Sequence, residues 1–199
     1  MNNNILGVGI GALAIGLFLG TVVMPQMNFG GMMGPGGGSV NQGIDRHFIE
    51  EMIPHHEGAI AMAKLALERS KRPEMLLLAN GIIEAQTREI NDMKGWYEEW
   101  FGTAVPAYSN SGGMMGGMGH GAGMQMGSMV GDLEALKAAA NFDLEFIRQM
   151  IPHHEMAVMM ARMLAAGTAR TEMQTLADNI ITSQSREIEM MQGWYAAWK

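Results

Sequence analysis

The sequence predicts an all-α protein, an antiparallel four-helix bundle built from two copies of one helical hairpin behind an N-terminal hydrophobic segment. Three observations carry this expectation. Residues 45–100 align with 143–198 without a gap at a constant offset of 98, with 28 identities in 56 positions, which marks an internal repeat. Within each copy, apolar residues recur at alternating steps of four and three, the rhythm of one helix face. Hydrophobic residues at 48% against 17% charged supply a core for 199 residues and exclude a fully disordered chain.

Taken in order, residues 1–24 contain the run Ile5 to Met24, which carries no charge and is long enough to span a bilayer. Gly7, Gly9, Gly11, Gly16 and Gly20 would weaken a helix in water. The segment therefore reads as an export signal or a membrane anchor. A basic start and an Ala-x-Ala cleavage site are both missing, which favours the anchor. The first basic residue is Arg46, so flanking charge does not orient the segment. Residues 25–43 form a Gly/Met-rich linker.

The first hairpin occupies residues 44–101. Phe48, Met52, His55, Ala59, Met62 and Ala66 share one seam of its first helix, with Ile49, Ile53, His56, Ile60, Ala63 and Leu67 on the adjacent seam. Ile82, Gln86, Ile90, Met93, Tyr97 and Trp100 repeat the rhythm in its second helix. Ser70 to Arg72 make the connection, and Pro73 suits the first turn that follows. Residues 102–131 are Gly-rich and nearly uncharged, a linker that cannot bury a core of its own. The second hairpin, 132–199, has Gly167 as a helix stop and Thr171 as an N-cap. Pro54 and Pro152 fall inside the first helix of each copy, where a start or a kink is expected.

Composition narrows the function. No Cys means no disulfide, thiolate zinc site, iron–sulfur cluster or cysteine nucleophile. A net charge of −7 does not provide the basic face that nucleic acid requires. The unusual feature is 23 Met, several times ordinary usage.

The sharpest motif is Met52-Ile53-Pro54-His55-His56-Glu57, repeated as Met150-Ile151-Pro152-His153-His154-Glu155. Met52 stands three and four residues before the two histidines, so all three share a helical face, with Met62 further along the seam. Thioether sulfur suits Cu(I) and Ag(I), and neutral imidazole suits Cu(I) and Cu(II). A single histidine on an apolar face reads as hydrogen-bonded core. Two adjacent histidines beside Met in both copies shift the reading to a metal site. Glu57 and Glu155 fall on the edge of that face, with Arg88, Glu89, Arg186 and Glu187 at matching positions on the partner helices. A structural ion pair, for instance Glu57 with Arg88, is expected ahead of direct metal ligation, and Gln86 and Gln184 orient an imidazole.

Bundle methionines can simply fill core gaps. Copy two nevertheless adds Met156, Met159 and Met163 in one row with Met160 beside it, more than a core requires. In the linker, Met114, Met115, Met118, His120, Met124, Met126 and Met129 lie where there is no core to fill. Met27, Met32 and Met33 form a smaller group after the hydrophobic segment. These side chains point to soft-metal binding that needs no thiol and so tolerates an oxidising compartment.

The paired MIPHHE and GWY motifs resemble those of a ferritin-like family of exported bacterial proteins long labelled a domain of unknown function. The tandem arrangement with a Met-rich linker is similar to its copper-resistance member, over roughly 45–100 and 132–198. The resemblance implies a bundle outside the cytoplasm that binds copper through Met and His and protects against excess metal. Met52, His55, His56, Met150, His153 and His154 match the motif. The expected partners are copper ions, a copper exporter, and the membrane or export machinery at the N-terminal segment. The location implied is the periplasm or extracellular side.

Two other classes stay open. A di-iron or di-manganese oxidase would need Glu-x-x-His motifs, but Met52 and Met150 occupy the Glu positions. No Ser or Cys nucleophile is paired with a histidine, so the reading is not an enzyme. A structural or partner-binding bundle would use Trp96, Tyr97, Trp100, Trp194, Tyr195 and Trp198 as a patch and would bind no copper.

Overall fold

A computed structural model of the protein describes residues 38–107 and 131–199. The hydrophobic segment 1–24 and the linker methionines lie outside them. Among the described residues there are five helices and no strand: α1 (Gly38–Arg69), α2 (Pro73–Phe101), α3 (Leu133–Ala138), α4 (Phe142–Gly167) and α5 (Thr171–Trp198). None is long and apolar enough to cross a membrane.

The four long helices are the two hairpins of the repeat. α1 starts at Gly38, inside the stretch read as linker. It runs on through Pro54, and α4 runs through Pro152, so neither proline starts its helix. Pro73 opens α2 as anticipated, and Gly102 closes it with a φ of 68°, its N–H donating to the Glu98 carbonyl. The α5 N-cap is Arg170 rather than Thr171, without a side-chain cap bond. The short helix α3 has Asp132 as its cap, the carboxylate accepting from the Ala135 N–H at 2.9 Å. Its six residues are too few to show the periodicity that reveals a helix in sequence.

Packing divides the interior into two apolar clusters. One unites Phe48, Ile49 and Met52 of α1 and Ile90, Met93 and Tyr97 of α2 with Ala157 and Leu164 of α4 and Met173 and Leu176 of α5. The other takes the opposite halves: Met62 and Ala66, Met75 and Leu78, Phe146 and Met150, and Met191. Each cluster thus pairs the early half of one hairpin's first helix with the late half of the other's. That interleaving is what an antiparallel, pseudo-twofold packing of α1 on α4 produces.

A matched pair of clamps ties the hairpins at both ends. In the α1–α2 loop, the Ser70 hydroxyl accepts from the Arg72 N–H at 3.2 Å, and Thr168 does the same for Arg170 at 3.1 Å in the α4–α5 loop. Each arginine is thereby turned towards the other hairpin. Arg72 pairs with Asp143 at 3.2 Å and lies 4.1 Å from the Trp198 ring centroid. Arg170 pairs with Asp45 at 3.3 Å and lies 3.9 Å from the Trp100 ring. Trp96 stacks on Trp100 and Trp194 on Trp198, with ring planes 6° and 7° apart. The half-buried tryptophans Trp100 and Trp198 thus serve as cation–π platforms for the arginines.

The two clamps differ in burial, and this sets their weight. Asp45 is 1% exposed, whereas the Asp143 side chain is 17% exposed. Removing the arginine from a buried carboxylate strands a charge. Arg170→Ala is expected to destabilise the fold by about 2–3 kcal/mol, and Arg72→Ala by less. Urea unfolding of the two variants measures the difference, and equal losses would refute the burial argument.

Candidate metal centre

Between the two apolar clusters, at mid-bundle, four imidazoles form a row. His55 of α1 meets His153 of α4 with ring centroids 3.7 Å apart. His56 and His154 flank them at 6.2 and 6.3 Å. All four residues are at most 3% exposed. The row arises because adjacent histidines on a helix point about 100° apart, so one reaches the facing helix and the other turns to its own hairpin partner.

That partner is a carboxylate. His56 Nε2 lies 2.7 Å from Glu89 Oε2, and His154 Nε2 lies 2.6 Å from Glu187 Oε2. A carboxylate at Nε2 fixes the orientation of each ring, and in the tautomer that carries its proton at Nε2 the Nδ1 lone pair is available to a metal. The Nδ1 atoms of His56 and His154 are buried without a hydrogen-bond partner, as are the Oε1 atoms of Gln86 and Gln184. The expected Glu57–Arg88 pair does not form. Glu57 approaches Lys94 at 3.8 Å, and Arg88 pairs with Glu84 at 2.6 Å. The inner seam of α2 passes through Gln86, Ile90 and Met93, which turns Glu89 towards α1 and Arg88 towards solvent.

Burial dominates the electrostatics of His55. It pushes the His55 imidazole down from 6.5 to about 3, helped by the neighbouring His56 and His154, with the His153 backbone acting in the opposite sense. A neutral ring is a competent ligand. Among the described residues, however, no group of three or more His, Cys, Asp or Glu side chains is set to hold a metal.

The thioethers of the motif divide between the two apolar clusters. Met52 is fully buried in the first cluster, while Met62 and Met150 are fully buried in the second. Met156 and Met160 are placed elsewhere, in a groove of about 330 Å³ between α1 and α4. Ile44, His47, Phe48 and Glu51 line it from α1, and Met156, Met159, Met160, Met163 and Leu164 line it from α4. Met159 is 44% and Met163 58% exposed. Met114, Met115, Met118, His120, Met124 and Met126 lie outside the described residues.

Residues 45–196 match the model of the domain of unknown function DUF305. The chain belongs to this family. Among solved structures it is similar to "CopM in the Cu(II)-bound form", 53% identical over 78% of this chain and 97% of that one, with a TM-score of 0.68. "CopM in the Cu(I)-bound form" is 49% identical over 77% and 96%, with a TM-score of 0.65. The uncharacterized protein L153 of Acanthamoeba polyphaga mimivirus is 42% identical over 55 residues, covering 28% of this chain and 36% of that protein.

Two parts of this DUF305 site escape sequence reasoning. Glu89 and Glu187 are visible in sequence beside Arg88 and Arg186, but their pairing with His56 and His154 is seen only in the packed hairpins. His47 has Glu145 as its repeat counterpart, so searching for what the copies share passes over it.

Buried His55 makes the fold acid-sensitive. Since the folded-state pKa of His55 lies below 6.5, the unfolded chain takes the proton first. The stabilisation is complete above about pH 6.5 and is lost as the pH falls towards about 3. The urea midpoint is expected to be lower at pH about 5 than at about 7.5, and His55→Phe to reduce that difference. An undiminished difference in the variant would assign the acid sensitivity to other groups.

Proposed function

We propose that this protein handles copper outside the cytoplasm, sequestering or carrying Cu(I) through Met and His and so contributing to copper resistance. The observation that carries this is the close likeness to CopM, a protein solved with Cu(II), Cu(I) and Ag bound, over almost its whole length. The donor chemistry supports it. Thioethers bear no proton, so binding to them neither releases one nor depends on deprotonation, unlike thiolate sites. Ag(I) is a secondary cargo on the thioethers, and Cu(II) a secondary cargo on the imidazoles.

The linker methionines enlarge capacity in this reading, and a copper exporter is the natural recipient. The uncharged run Ile5 to Met24 supports placement in the periplasm or on the extracellular side, anchored or secreted. The lack of Cys suits that compartment. The protein acts by binding and release, without catalysis.

Titration of the full chain with Cu(I) against a competing chelator tests the proposal. Stoichiometric binding is expected. Changing Met114, Met115, Met118, Met124 and Met126 to Leu is expected to lower the number of ions bound while helicity stays the same. Wild-type binding no greater than that of a Met-poor control protein would overturn the proposal and favour a purely structural bundle.

A further inference from the structure

We propose that the groove between the early half of α1 and the late half of α4 is a discrete site for a soft monovalent ion, Cu(I) or Ag(I). His47, Met160 and Met163 are its ligands, and Met156 and Met159 are the adjoining thioethers. The proposal rests on the copper-handling reading and gives it a location among the described residues.

The register of α1 and α4 brings these residues together. His55 and His153 meet where α1 crosses α4, and the clusters pair early α1 with late α4 and late α1 with early α4, so the two helices run antiparallel. Eight residues before His55 therefore lies opposite eight after His153, which sets His47 beside Ala161, flanked by Met160 and by Met163 and Leu164 on the next turn. All of these except Ala161 line the groove. Met156, Met160 and Met163 are spaced by four and three along one face, so the thioethers form a ladder rather than a scatter.

The repeat supplies an internal comparison. Moving each groove residue by the offset of 98 gives the equivalent groove at the other end of the bundle. There, Gly58, Ala61, Met62 and Leu65 stand where Met156, Met159, Met160 and Met163 stand here, and Glu145 replaces His47. That second groove is filled. Helix α3 packs on both α1 and α4, with Leu136 fully buried in the second cluster. The Asp132 N–H donates to Gln149 Oε1 at 2.8 Å. Gly131, at a φ of 71°, comes so close that a Cβ there would sit 2.5 Å from Met62 Sδ. The packing position thus calls for one methionine, Met62 or its equivalent Met160. Met156, Met159 and Met163 exceed what the core needs. Leaving Met159 and Met163 substantially exposed gains little by burial.

The chemistry selects the ion. Two thioethers and one imidazole are neutral donors that suit a d¹⁰ monovalent cation in low coordination, whereas Cu(II) favours nitrogen and oxygen in tetragonal geometry. Glu51, on the α1 side of the groove, offers a compensating negative charge near the ion. Exposure at Met163 permits ligand exchange from solvent. At mid-bundle, by contrast, an ion could reach the imidazole row only by parting α1 from α4.

Methyl NMR of the full chain labelled with ¹³C-methyl methionine, titrated with silver nitrate as a redox-stable probe and then with Cu(I), tests the site. The methyls of Met160 and Met163 and the His47 ring are expected to shift together and saturate as one site. Met160→Leu with Met163→Leu conserves volume, and an unchanged thermal melt verifies the fold. This double variant is expected to weaken binding read at His47 by more than about tenfold, and His47→Gln to weaken binding read at the methyls. Copper binding with those methyls unmoved at saturation, or with wild-type affinity at His47 in the double variant, would overturn the groove site and leave the proposed function intact. A wild-type chain that binds neither ion would remove both.

Discussion

Two imidazole rings meeting where α1 crosses α4 set the geometry on which the rest of the molecule depends. The ring centroids of His55 and His153 lie 3.7 Å apart. The contact is tolerable because burial keeps His55 neutral across the physiological range. It also defines the register. Any slip of α1 along α4 would carry an imidazole into one of the apolar clusters. It would also move the His56–Glu89 and His154–Glu187 pairs away from mid-bundle. The polar row divides two greasy halves and so specifies their alignment, a role that uniform hydrophobic packing performs poorly.

From that crossing the remaining contacts follow as symmetric pairs. Each apolar cluster collects one early and one late half-helix from each hairpin. Each loop projects an arginine towards the opposite hairpin, where an aspartate and a terminal tryptophan receive it. The clamps act at the ends, furthest from the crossing, where a small change of helix angle makes the largest displacement. Specificity at the centre and closure at the ends are thus provided by different chemistry.

Symmetry is kept where the fold requires it and broken where the proposed cargo binds. One groove between α1 and α4 is sealed by α3 and serves stability. The other is lined by thioethers, of which the first copy keeps only the equivalent of Met160, and by His47, which the second copy replaces with Glu145. A duplicated hairpin can diverge in this way because each groove is formed by only a few positions on two helices, and surface substitutions there leave the crossing undisturbed.

Much of the fold could be read from the chain itself. The gapless repeat, the four-and-three rhythm and the turn residues define four helices and two hairpins, because helix faces and caps are local physics. The histidines, methionines and tryptophans that matter were also visible as residues. Their groupings were not. Met52 and Met62 share a seam in sequence yet belong to opposite clusters. Glu89, not Glu57, is the carboxylate that meets an imidazole, and His47 joined methionines more than a hundred positions away. Helix α3, too short for a periodic signal, turned out to decide which groove is closed. Sequence by itself determined the elements and the donor types, since both depend on neighbours within a few residues. The tertiary structure decided which donors share a site, since that depends on where α1 crosses α4, a contact between residues 98 positions apart.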